Sequence, residues 1–172
     1  CGGFPFVNIN DSAVKREIML GCRKEQLDFM HDVQLAQMQG MQCYIAIRGT
    51  NNISELADVP TAQQQLYNKT LRPVINYRID KTKWVVLRYP NESMAQLSNT
   101  SLEAFTDFYF DVCTLDYSKM AKAMEPLVSL MEKTARVRLT GPGTDLTFSI
   151  KDINVIPCAG EMNIPDGEVF TA

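Results

Sequence analysis

Three carboxylates, Glu161, Asp166 and Glu168, stand close together near one end of this chain. Carboxylate oxygens are ligands for hard and borderline divalent cations. Asp166 and Glu168 lie two residues apart, so in an extended segment they project to one face. Their surroundings are acidic. Residues 140–172 hold one basic side chain, Lys151, against five acidic ones (Asp145, Asp152, Glu161, Asp166 and Glu168), while residues 1–139 hold 16 basic and 15 acidic. A cation site fits this excess. So does a solvated acidic surface, and for a bare acidic pair beside a turn the surface is the stronger reading, because charged side chains are mostly exposed.

Other chemistries are harder to assemble. His31 is the single histidine, which excludes a two-imidazole zinc site within these residues and places no base beside a nucleophile. The five cysteines (Cys1, Cys22, Cys43, Cys113 and Cys158) are odd in number, with no Cys-x-x-Cys pair. They read as free thiols of a reducing compartment rather than a disulfide framework, so a cytoplasmic location is expected. Gly141-Pro142-Gly143-Thr144-Asp145 lacks the Gly-Lys-Ser/Thr that opens a helix in a phosphate loop. A strand follows it instead, and a hairpin turn is expected. The net charge of -3 argues against a nucleic-acid surface. No apolar run approaches the roughly 18 residues of a membrane span, and no membrane association is expected.

The elements that must position these groups follow from periodicity and punctuation. Helices are expected from Ser12 to Leu20, from Lys24 to Gln39 with Gly40 as the stop, and from Thr61 towards Ile75 with Thr61 as cap and a kink or break at Pro73. Asn91 and Ser93 open a short helix. Thr100-Ser101-Leu102-Glu103 reads as a capping box for the next, and a long helix starts near Asp116 with Pro126 inside it. Cys43–Arg48 reads as a buried strand and Thr82–Arg88 as the clearest one. From Ala135 the texture changes. Val137 and Leu139, then Leu146, Phe148 and Ile150, alternate with polar residues on either side of the glycine turn, and further extended segments begin at Ile153 and Glu168. The fold class is therefore α/β: a mostly parallel sheet domain over residues 1–133, then the β-rich start of a second domain over residues 134–172.

The run from Gly141 to Ile150, then Cys158, then Asn163-Ile164-Pro165-Asp166-Gly167-Glu168-Val169-Phe170-Thr171-Ala172 closely resembles the thermophilic-type metallo-aminopeptidases, the group of aminopeptidase T, aminopeptidase S and PepS. Thr82–Pro90 with Met94-Ala95-Gln96, and Glu103–Tyr109, are similar to the same family. The resemblance covers roughly residue 43 to the end. It implies hydrolysis of the N-terminal peptide bond of a peptide substrate at two divalent metal ions, zinc or cobalt, in a homodimer. The first metal ligand along the family's chain corresponds to Glu168. Asp166 has no such support and is expected to stabilise the Pro165–Gly167 bend. Ala159 departs from the family, where an acidic residue often stands. The remaining ligands are expected downstream of Ala172, and a further strand and helix upstream of Gly2, so the chain reads as a fragment with no catalytic residue of its own. One carboxylate does not hold a catalytic zinc, which needs about three protein ligands; the fragment is expected to be inactive and to bind no metal alone. The competing reading is a non-enzymatic α/β ligand-binding or dimerisation module, against which stands the lack of a Gly-rich strand-to-helix turn.

Overall fold

A computed structural model describes residues 2–172, so the expected free thiol at Cys1 lies outside the described residues. The chain divides into two compact units, Cys1–Thr106 and Asp107–Ala172. The fold class is α/β, with a small parallel sheet.

In the first unit, an extended segment leads into α1 (Ser12–Gly21), whose start is fixed by Asp11: its carboxylate accepts from the amides of Ala13 and Val14 at 2.8 and 3.0 Å. Next come α2 (Lys24–Gln39), β1 (Cys43–Arg48), α3 (Thr61–Lys81), β2 (Lys83–Arg88) and α4 (Glu92–Leu97). Strands β1 and β2 pair in parallel and in register from Cys43↔Lys83 to Arg48↔Arg88, joined by the α3 crossover. Helix α3 packs on α1, α2 and β2, and the core around it holds Met19, Leu27, Leu71 and Val74. The Arg78 guanidinium lies over the rings of Tyr44 and Trp84, at 5.1 and 5.5 Å from their centroids, tying α3 to both strands.

Three sequence expectations change here. Thr61 is the first helical residue, not the cap; Pro60 precedes it and no side-chain capping bond forms. Pro73 does not end α3, which runs on to Lys81. A proline deletes one internal hydrogen bond, but burial of Leu71 and Val74 on either side of it holds the helix together. Strand β1 is not buried. Tyr44 and Ala46 are half-buried, whereas Ile45 and Ile47 on the opposite face are 68% and 67% exposed. The apolar run is what a two-sided parallel sheet requires, and only one face is covered here.

At the end of β2, Asn91 caps α4 by accepting from the Met94 amide at 3.1 Å, and its Nδ2 donates to the Thr50 carbonyl at 2.9 Å. Ser93 donates to the same carbonyl at 3.0 Å. This pins the loop after β1 to the loop after β2. Helix α5 (Leu102–Cys113) follows. Its cap is Ser101, which accepts from Ala104 at 3.2 Å, so the third helical residue is Ala104 rather than Glu103 and the reciprocal half of the expected box is out of register.

In the second unit, α6 (Tyr117–Glu132) is capped by Asp116, which accepts from the Lys119 amide at 3.0 Å. Pro126 again lies within an unbroken helix. The expected hairpin is present as β3 (Arg136–Gly141) and β4 (Thr144–Ser149), antiparallel, with Val137 opposite Phe148 and Leu139 opposite Leu146. Pro142 and Gly143 make its two-residue turn, and Gly143 has φ +71°, the left-handed conformation that glycine adopts freely. Arg138 clamps Asp145 through two 2.8 Å bonds on the polar face. Beyond it lie β5 (Val155–Cys158), the two-residue β6 (Asn163–Ile164) and β7 (Glu168–Thr171). Strands β5 and β7 are antiparallel, and α6 packs on both.

Candidate metal centre

The register of β5 against β7 decides which side chains meet. Cys158 pairs directly with Glu168, so the thiol and the carboxylate emerge side by side from neighbouring strands. Asp166 stands two residues before Glu168. The thiol sulfur and one oxygen from each carboxylate lie within 4.8 Å of one another, and this is the sole such group of metal-ligating side chains among the described residues.

The connection between the strands is shaped to hold them there. Gly160 has φ +88°, and a Cβ at that position would stand 2.9 Å from Cδ1 of Tyr117, so only glycine fits between the turn and the first turn of α6. The Gly160 amide donates to Oδ2 of Asp166 at 2.8 Å. Asp166 therefore does not simply close its own Pro165–Gly167 bend, as the sequence suggests. It straps that bend to the turn after β5. Its amide in turn donates to the Tyr117 hydroxyl at 3.4 Å, while that hydroxyl donates to the Val112 carbonyl at 3.2 Å. Gly167, at φ +132°, passes against the Met120 sulfur. Tyr117 and Met120 of α6 thus lie against the turns that carry Gly160 and Gly167 on either side of Asp166.

The electrostatics follow from this crowding. Burial pushes the Cys158 thiol up from its ordinary pKa, and the negative charges of Asp166, Glu168 and Glu161 push it further. At neutral pH it stays a protonated thiol.

Of the acidic residues that the sequence singles out, Asp166 and Glu168 come together. Glu161 does not join the group; its carboxylate accepts from the Ala159 amide at 2.9 Å and folds back on the turn. His31 belongs to the first unit, on α2, where its Nδ1 lies 3.0 Å from Oδ1 of Asp32. Cys158 was visible only as part of a family pattern. Ten residues separate it from Glu168, and that spacing carries no meaning until the strands are paired. The other described cysteines, Cys22, Cys43 and Cys113, are free thiols. The open cleft of about 910 Å³ along β1, with Lys15, Arg48 and Thr50 in its wall, contains no comparable group of ligands.

The donor set fits a divalent cation: one thiol and two carboxylates, with Oδ2 of Asp166 held by the Gly160 amide. Donors on a tetrahedral zinc at bond lengths of about 2.0–2.3 Å stand about 3.5 Å apart, so closure around an ion takes side-chain rotations of roughly an ångström. The exposed position of Glu168 leaves room for them. None of the described helices is long and apolar enough to cross a membrane.

The family model described as thermophilic metalloprotease (M29) matches residues 4–172, a span that contains every residue of the site. No curated protein matches the chain.

Proposed function

The chain belongs to the thermophilic metalloprotease family M29, and from that premise we propose that it carries one wall of the metal centre of an aminopeptidase, with Glu168 as a ligand. The family is one of metal-dependent peptidases. The observation that carries the reading to a residue is the pairing of Glu168 with Cys158 across β5 and β7, which turns a carboxylate of the matched region towards two further donors. A bound divalent cation supplies Lewis acidity there, polarising the scissile carbonyl and lowering the pKa of a water towards neutrality.

The chain's own residues orient and hold. Glu168 is fixed at the start of β7 by the ladder to β5. Asp166 is aimed by the Gly160 amide, as carboxylates around metal sites commonly are. Neither is free to act as a general base while it neutralises a cation. Among the described residues three donors meet, whereas two catalytic ions need more, together with a group to move protons. We infer that further ligands join Glu168 in the active enzyme, that zinc or cobalt is the ion, and that residues 1–172 alone neither hold the catalytic ions nor turn over peptide. A homodimer and a cytoplasmic setting complete the reading and rest on the family resemblance.

The test is hydrolysis of an amino-acid p-nitroanilide by the longest natural form of the protein with added zinc or cobalt, beside the same substrate acetylated on its amine. Cleavage of the free-amine substrate alone is expected. Equal cleavage of both contradicts an aminopeptidase, and cleavage unaffected by chelation contradicts metal dependence.

A further inference from the structure

We propose that Tyr117 is a positioning residue for Glu168: through Asp166 it holds the bend that leads into β7, and so sets where the Glu168 carboxylate is presented. The inference rests on the reading of Glu168 as a metal ligand and adds the side chain that keeps it in place.

Glu168 is the first residue of β7, and its pairing with Cys158 is the last rung of the ladder to β5. The end of a strand frays unless something beyond the ladder secures it. The residue just before it is Gly167, at φ +132°, a conformation that glycine enters freely and that restrains nothing by itself. The restraint comes from α6. The Asp166 amide donates to the Tyr117 hydroxyl at 3.4 Å, and the Asp166 carboxylate accepts from the Gly160 amide at 2.8 Å. Asp166 is therefore tied through its backbone and through its side chain. The Tyr117 hydroxyl donates its own proton to the Val112 carbonyl at 3.2 Å, which leaves its oxygen to accept.

The ring of the same tyrosine meets the other arm of the connection. A Cβ on Gly160 would stand 2.9 Å from Cδ1 of Tyr117. Three residues along the same face of α6, the Met120 sulfur would stand 3.0 Å from a Cβ on Gly167. One half-buried side chain thus holds both the turn after β5 and the bend before β7. Phenylalanine would fill the same space, but it would leave the Asp166 amide without its acceptor. Position matters here because a misplacement of about 1 Å is enough to weaken a metal or catalytic constellation strongly.

The longest natural form of the protein is compared as wild type, Tyr117→Phe and Glu168→Gln, with zinc affinity measured by competition against a fluorescent chelator. Tyr117→Phe keeps the ring and is expected to bind zinc at least about tenfold more weakly. Its peptide hydrolysis should fall at limiting zinc and return in excess zinc, with KM for the peptide unchanged. Asn91→Ala, a destabilising change in the first unit, is the control: it should lower the melting temperature and leave zinc affinity at the wild-type value. In the zinc-free wild type, the Asp166 amide should exchange at least about tenfold more slowly than in an unstructured peptide, a measurement that needs no variant. Wild-type zinc affinity in Tyr117→Phe, with Glu168→Gln impaired, overturns the role of Tyr117 and leaves Glu168 standing. An unprotected Asp166 amide overturns it as well. Wild-type zinc affinity in Glu168→Gln overturns the ligand reading beneath both.

Discussion

Gly160→Ala is the perturbation that most directly probes how the site is built. The glycine sits at φ +88°, where a side chain is strained, at about 1–2 kcal/mol for an L-residue in the left-handed region. The new methyl would also stand 2.9, 3.0 and 3.3 Å from Cδ1, Cγ and Cε1 of Tyr117. Forcing a methyl into such a gap costs about 1–3 kcal/mol. Together the two effects cost about 2–5 kcal/mol, a large share of a total stability of roughly 5–15 kcal/mol. The assay must see the right unit. Trp84, the single tryptophan, lies in the first unit, so its fluorescence would miss the event. Hydrogen exchange of the β5 and β7 amides reads it locally, and these should exchange at least about 30-fold faster in the variant. Adding Tyr117→Ala to Gly160→Ala should recover the steric part and leave the backbone part, giving a favourable coupling in a double-mutant cycle. Unchanged exchange in Gly160→Ala, or strictly additive effects in the cycle, would refute the packing of this turn on α6 and with it the anchoring of Asp166.

Tyr117→Phe removes the hydroxyl that bridges Val112 and Asp166 and should cost about 0.5–1.5 kcal/mol by urea denaturation followed by far-ultraviolet circular dichroism. Leu27, 0% exposed, should cost about 2–5 kcal/mol when cut to alanine, seen as a shift in the Trp84 fluorescence transition. Asn91→Ala, which removes the α4 cap and the bond to the Thr50 carbonyl, should cost about 1–2 kcal/mol in the same measurement. Asp58 is held below the usual carboxylate range, chiefly by its hydrogen bond from Arg16. Because the folded form is the stronger acid, this stabilisation is present above the unfolded pKa of about 3.9 and is lost as pH falls through the folded value. The difference in melting temperature between wild type and Asp58→Asn should therefore be present at neutral pH and vanish in acid; a difference that persists in acid contradicts the linkage.

Much of the fold could be read from local signals, because local physics decides those elements. The Asn91 and Asp116 caps, the Gly40 stop and the Pro142-Gly143 hairpin each depend on a few adjacent residues, and each is found where its chemistry points. Pro73 ends no helix for the opposite reason: burial of Leu71 and Val74 outweighs one missing hydrogen bond, whereas Pro126 lies inside its helix as the sequence indicates. The exposed face of β1 was hidden because an apolar run states what a strand can bury, not what covers it. At the site, Glu168 could be singled out only through the family pattern, since an acidic pair beside a turn is ordinary surface. The Asp166 to Gly160 strap and the approach of Cys158 are products of strand register and of a turn moulded on Tyr117. Neither leaves a trace in spacing along the chain.

Glu168 is the proposed ligand of a metallopeptidase centre. Its most direct test is the longest natural form of the protein, wild type against Glu168→Gln, with bound zinc counted by atomic absorption and N-terminal hydrolysis assayed on the same samples. Loss of bound metal together with loss of activity, in a variant that keeps the wild-type circular dichroism, is the predicted result. Wild-type metal content and full activity in Glu168→Gln would return this carboxylate to the acidic surface and contradict the account.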